Sequence, residues 1–205
     1  MEWFRTRSNA KAQSIARRAG RPRVRAILRN GPALDRAALA FASTLFTGFL
    51  PVGGLWGAIV GTLIAAFLPS PLVSALLLGA VTVVGTVAVT RVQRSSGVED
   101  PSEVTIDEVS GAWLACLLSG LQGPALFLPF ALFCLFDATK PLPANFLDRT
   151  DSAFGVMGDD LVAGFYGGLL ARVTFLVWSS ALPMTVAALP TALAALAQMA
   201  ALLRS

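Results

Sequence analysis

Three acidic knots, Asp107-Glu108, Asp137 with Lys140, and Asp159-Asp160, stand on an otherwise apolar chain. Ionised side chains beside greasy runs are costly unless something pairs with them. Hard divalent cations such as Mg²⁺ take oxygen ligands from carboxylates, waters and substrate phosphate. Asp107, Glu108, Asp137, Asp159 and Asp160 therefore suffice for one such ion, or for two sharing a bridge. Lys140 follows Asp137 by three residues, precedes a proline, and is the only lysine after residue 11. Its ammonium either neutralises nearby carboxylates or grips an anionic substrate group. Metal, ammonium and an apolar chain together point to a phosphate on a lipid headgroup, passed to water with metal assistance.

Ordinary helix capping explains part of this pattern. Asp107-Glu108 and Asp159-Asp160 are expected at or near helix beginnings, where carboxylates complement the helix dipole. Capping accounts for one member of each pair. It does not account for the second member, nor for Asp137 at the far end of an apolar helix.

The elements that must bring these stations together are apolar helices. The chain has 205 residues, 55% hydrophobic and only 14% charged, against about 25% charged in a typical soluble domain. Residues 37–90 carry no charge, whereas a soluble helix of that length needs a polar face. Runs near the ~20 residues of a bilayer crossing are 33–50, 71–90, 160–180 and the stretch from Pro183 onward. The expected architecture is an all-α, polytopic membrane helical bundle, with short or re-entrant helices and acidic loops at one membrane face.

Ten of the twelve acids fall between Glu99 and Asp160. They occupy two polar segments, 91–111 and 137–160, around the apolar stretch 109-VSGAWLACLLSGLQGPALFLPFALFCLF-136. The centre of that stretch, Gly120-Leu-Gln-Gly-Pro124, breaks a helix. Each half is ~13 residues, about 20 Å as helix and short of a ~30 Å hydrocarbon core. A hairpin that turns at depth would return both acidic segments to one side; a single kinked crossing would separate them. The glycine spacings 53/57/61 and 164/168 predict close helix contacts, and 54–68 predicts a further half-crossing after Pro51.

Net charge is +4, and ten of the sixteen basic residues lie in the first 36 positions. Beside a first apolar run this predicts a basic cytoplasmic tail, residues 1–32, ahead of a membrane-embedded domain, 33–205. An anionic membrane surface is its expected partner. Trp3 and Phe4 lie in the tail, but no nucleic-acid readout module accompanies them. Cys116 and Cys134 read as small hydrophobes, without zinc spacing or a disulfide framework. The chain has no histidine, which removes Ser–His and phosphohistidine chemistry. A Cys-x₅-Arg loop is absent, as is an Asp-x-Asp pair. Arg172, twelve residues beyond Asp160, is expected to snorkel, to pair internally or to touch lipid phosphate.

The segments 100-DPSEVTIDEVSG-111, 135-LFDATKPLP-143 and 154-FGVMGDDLVAG-164 resemble, in order and spacing, the three motifs of the phosphatidylglycerophosphatase A family. The resemblance covers about residues 43–180. It implies a Mg²⁺-dependent phosphatase of the bacterial inner membrane that converts phosphatidylglycerophosphate to phosphatidylglycerol and orthophosphate. Carried over position by position, it makes Asp107, Glu108, Asp137, Asp159 and Asp160 metal or catalytic carboxylates and Lys140 a phosphate contact. The family's upstream glycine-rich motif is kept at Gly48, Pro51, Gly54, Trp56 and Gly57, so Gly54 and Gly57 would frame the substrate. The motif's second proline is missing, and Leu55 and Ala58 replace its Thr and Ser. The resemblance also implies substrate arriving at the cytoplasmic leaflet, with Arg91 and Arg94 on that side. One of the three early apolar runs should then be re-entrant or interfacial. Direct water attack and a phospho-aspartyl intermediate both fit the sequence. Two rivals are a CDP-alcohol phosphotransferase, whose pattern Asp148-x-x-Asp151 and Gly155-x-x-x-Asp159 resemble in part, and a transporter whose carboxylates line a cation path through the bilayer.

Overall fold

Apolar residues recurring without strand alternation fold here as helices, and the computed structural model describes residues 20–68, 70–142 and 152–202. Among these there are seven α-helices and no strand. They are α1 over residues 20–30, α2 Ala33–Ala42, α3 Gly53–Phe67, α4 Pro71–Ser96, α5 Ile106–Ser119, α6 Phe127–Thr139 and α7 Ala153–Leu202. The first nineteen residues of the basic segment, and Asp148 and Asp151, lie outside the described residues.

Helix α4 shows why boundaries fall where they do. Ser70 accepts a hydrogen bond from the Val73 amide, and Pro71 begins the helix, a position where its missing N–H costs nothing. The helix ends at Gly97 with φ +64°, the left-handed turn that glycine adopts without penalty. Its 26 residues span about 39 Å. α4 and the Ala153–Ser180 part of α7 are long and apolar enough to cross a membrane, and only 28% of each apolar window is buried. The core helix of a soluble protein would be mostly covered; these turn most of their apolar surface outward.

Three of the expected apolar runs take a different form. The run 33–50 is not one helix: α2 stops at Ala42, and Thr44, Leu45 and Phe46 all take positive φ before a 3₁₀ turn at Thr47–Phe49. The Ser43 hydroxyl there accepts from the Phe46 amide, a local bond that competes with helix continuation. The runs 160–180 and 183 onward are not two helices either. α7 continues through both, as an apolar helix can when a proline removes only one backbone bond.

The break at residues 120–126 is present. Gly120 caps α5 in the left-handed conformation, and a 3₁₀ turn Gly123–Leu126 leads into α6. Helices α5 and α6, of 14 and 13 residues, form a hairpin against α7. α5 is the axle of the bundle and touches α3, α4, α6 and α7. Its Val109 lies in a cluster with Val24, Leu39 and Val89; its Ala112 and Ala115 lie with Ala58, Phe133 and Ala163; its Cys116 lies with Leu121, Leu126 and Ala171. Val24 and Ile27 of α1 are thus part of the core, although they fall within the segment expected to be a tail. The buried Trp113 indole donates to Ser74 Oγ at 2.8 Å, tying α5 to α4.

Glycines decide how closely these helices approach. A β-carbon on Gly57 would stand 2.7 Å from the Thr105 carbonyl, and one on Gly168 would stand 2.6 Å from that of Ala115. Gly61 and Gly164 press likewise on the carbonyls of Val109 and Gly111. Both spaced-glycine ridges therefore fold onto α5, one from each side.

Candidate active site

The three acidic stations meet where α5 begins, α6 ends and α7 completes its second turn. Thr105 precedes α5; its amide donates to the Ala42 carbonyl, and its hydroxyl to Thr44 Oγ1 at 2.9 Å. That pair of bonds anchors the first turn of α5, which carries Asp107 and Glu108. Asp137 is in the last turn of α6, where the helix dipole opposes an anion. Lys140 ends that helix with φ +43°, its amide donating to the Phe136 carbonyl at 2.7 Å. A residue before proline is disfavoured in the helical region, and the exit Lys140 takes is left-handed.

Carboxylate oxygens of Asp107, Glu108 and Asp160 all lie within 4.8 Å of one another. Asp137 is close enough to act electrostatically on both Glu108 and Asp160. The Lys140 ammonium donates to Asp159 Oδ2 at 2.5 Å, and both aspartates of α7 are at most 5% exposed. Gly54 faces the carboxylate of Glu108, and Gly57 faces the β-carbon of Glu108 and the Thr105 carbonyl. All eight positions singled out from the sequence thus surround one place. One expectation is corrected: Asp159 and Asp160 do not begin a helix, for α7 starts at Ala153 and its first turn holds no acid. Capping is therefore no account of that pair.

Electrostatics make the cluster a poor resting place for bare anions. Burial pushes the Asp107 carboxyl above its usual range, against the hydrogen bond from Glu108 that lowers it. Burial, then the charge of Asp107, raises the Glu108 carboxyl well above its ordinary value. Asp107 Oδ1 and Glu108 Oε2 are buried and accept no hydrogen bond. Buried oxygens left in this state cost free energy that a cation would recover. The donor set, all oxygen and anionic, fits Mg²⁺.

The acidic segment holds one more buried carboxylate, which the sequence does not separate from its neighbours. Glu103, 2% exposed, faces Arg21 of α1 at 3.8 Å and takes a hydrogen bond from Ser102. Its carbonyl is packed against Gly48, so the kept glycine of the upstream motif supports the loop leading into α5. Arg172 pairs with none of the described acids. Its Nη1 lies beside Gly120 at the hairpin turn, 3.3 Å from where a β-carbon would stand. Asp107, Glu108 and Asp160 gather within 4.8 Å of one another, whereas a transporter's cation path would string its carboxylates out.

A helical bundle gathering buried carboxylates and a lysine beside outward-facing apolar helices has the parts of a lipid phosphatase. Residues 40–175 match the family Phosphatidylglycerophosphatase A. The chain belongs to that family, and it is a phosphatase. It is 28% identical over 121 residues to Phosphatidylglycerophosphatase A of Haemophilus influenzae, covering 57% of this chain and 74% of that protein. It is 37% identical over 78 residues to a Bacteroides thetaiotaomicron protein provisionally named phosphatidylinositol-3-phosphatase, covering 37% of this chain. The match spans about half the length of that relative, 49%. No solved structure matches the chain.

Proposed function

We propose that the chain hydrolyses the phosphomonoester of phosphatidylglycerophosphate, giving phosphatidylglycerol and orthophosphate, with Mg²⁺ held by Asp107, Glu108 and Asp160. The observation that carries this reading is the meeting of those three carboxylates within 4.8 Å, with buried oxygens that accept no hydrogen bond. Asp137 and Asp159 complete the anionic wall. What a bound Mg²⁺ supplies there is polarisation of the phosphoryl group and acidification of a water.

The chain's own residues do the rest. Lys140 faces the phosphoryl oxygens and offsets their growing charge, a task suited to an ammonium already held in place by Asp159. Asp159, buried beside that ammonium, is positioned to take the proton of the attacking water or to attack phosphorus itself. Gly54 and Gly57 leave the Glu108 side open, since a β-carbon at Gly54 would occupy the space of the Glu108 carboxylate. The Thr and Ser that the family motif has at positions 55 and 58 are not used here. Leu55 is exposed and Ala58 is buried against Phe133.

The outward apolar faces of α4 and α7 support a multi-pass placement in a bacterial inner membrane, with the acid cluster and the basic N-terminal segment on the cytoplasmic side. Full-length protein in detergent, given phosphatidylglycerophosphate and Mg²⁺, should release free phosphate. EDTA should stop it and Mg²⁺ restore it. EDTA-resistant release would remove the metal, and no release would remove the substrate. The Bacteroides relative makes phosphatidylinositol 3-phosphate the comparison substrate in the same assay.

A further inference from the structure

Away from the acid cluster, α4 carries a second arrangement that hydrolysis does not use. A cleft of about 460 Å³ between α4 and the start of α7 is lined by Thr86, Thr90, Gln93, Arg94, Ser152 and Phe154, among others. A second cleft, of about 410 Å³, opens toward α2 and shares Thr90 and Arg94, adding Val87, Asp35 and Arg91. None of the five site carboxylates lines either one.

Three of the α4 residues in these clefts, Val87, Thr90 and Arg94, continue a line that starts one turn earlier at Val83, outside both clefts. Val83, Val87, Thr90 and Arg94 are spaced by four, three and four, so they stand on one face of the helix. Val83 and Val87 are each 65% exposed. The stripe therefore runs from apolar, through a hydroxyl, to a cation as α4 approaches its end. Arg91 is engaged, its Nε 2.5 Å from Asp35. Arg94 is exposed and makes no ion pair among the described residues. A guanidinium left free at the polar end of an apolar stripe matches an amphiphile whose phosphate follows its acyl chains.

We propose that this face of α4 is an accessory site for an anionic phospholipid, with the phosphate on Arg94 and the acyl chains along Val83 and Val87. The proposal rests on the membrane placement of the chain and is independent of the chemistry at the carboxylates. Its occupant is a lipid rather than free phosphate, because the exposed valines below Arg94 offer nothing to an inorganic ion.

The test is native mass spectrometry of the full-length protein in neutral detergent, titrated with phosphatidylserine or phosphatidylcholine. Phosphatidylserine is anionic and carries no phosphomonoester, so it is neither substrate nor product. The wild type should retain one phosphatidylserine more tightly than phosphatidylcholine. Arg94→Gln should weaken phosphatidylserine about fivefold and leave phosphatidylcholine unchanged, while Arg94→Lys should keep part of the preference. Asp107→Asn, which strikes the carboxylate cluster, should leave the preference intact. Equal affinity of the wild type for the two lipids, or an unaltered preference in Arg94→Gln, overturns the proposal. So does displacement of the lipid by inorganic phosphate, which would make this a free-anion site. A wild type that retains neither lipid sinks the membrane placement itself, whatever the phosphate-release assay gives.

Discussion

Gly54 stands where a β-carbon would collide with the carboxylate of Glu108, an acid 54 positions away in the chain. A motif glycine in one apolar run thus shapes the surroundings of a carboxylate in another. The obstacle is the end of a flexible side chain, so a methyl group there displaces the carboxylate instead of prising helices apart.

Gly54→Ala should therefore keep its fold and lose its chemistry. We expect phosphate release to fall at least tenfold, about 1.4 kcal/mol in the barrier, with thermal unfolding in detergent little changed. Gly164→Ala is the contrast, because its methyl would meet the backbone carbonyl of Gly111. Overpacking of that kind costs about 1–3 kcal/mol. Equal loss of stability in the two variants would show that Gly54 is only a packing residue.

The Lys140–Asp159 pair predicts a non-additive cycle. Lys140→Met leaves Asp159 buried without its ammonium, and breaking such a pair by removing one partner costs about 3 kcal/mol. Lys140→Met with Asp159→Asn should recover much of that stability, since the carboxylate that lost the ammonium is removed with it. Asp159→Asn alone and the double variant should both be inactive. Chemical denaturation gives the stabilities and phosphate release the activities; full turnover by Asp159→Asn removes that residue from the mechanism.

Mg²⁺ should stabilise the fold through the cluster. A ligand at a hundred times its dissociation constant adds about 2.7 kcal/mol, so the unfolding midpoint should rise with Mg²⁺ and return with EDTA. Asp107→Asn, Glu108→Gln and Asp160→Asn should each blunt the rise. Arg94→Gln should not, which separates the cluster from the α4 stripe. A Mg²⁺ response that survives in all three carboxylate variants would place the ion elsewhere.

Acid sensitivity should come partly from α2. The hydrogen bond from Ser95, and then Arg91, hold the Asp35 carboxyl below its ordinary range, against partial burial. A carboxylate depressed in the folded state contributes stability that is complete above its unfolded pKa, about 3.9. That contribution is lost as pH falls through the folded value. The stability gap between wild type and Asp35→Asn should therefore be constant near neutrality and close below about pH 4. A gap that does not change between pH 6 and pH 3 would mean the pair contributes nothing.

Much of the site was legible because its residue types are improbable where they stand. Carboxylates at the ends of apolar runs have few inexpensive explanations, and Asp107, Glu108, Asp137, Lys140, Asp159 and Asp160 were each readable for that reason. The hairpin was legible from Gly120 to Pro124, where backbone chemistry forbids a straight helix. Glu103 was not distinguishable from Glu99 or Asp100, because burial is a property of what packs over a residue.

By itself, the sequence determined the all-helical class, the helix break in the middle of α5–α6, and which acids are the candidates for holding a cation. Those follow from local rules: proline geometry, glycine size and the cost of charge beside apolar runs. Only the tertiary structure decided that α2 ends at Ala42, that Asp160 sits two turns inside α7, and that Gly54 faces Glu108. Contacts between residues far apart in the chain take part in this, such as the Thr105 amide on the Ala42 carbonyl and Gly54 against Glu108. Interactions of that kind have no period or composition to read, because their energy exists only once the helices have met.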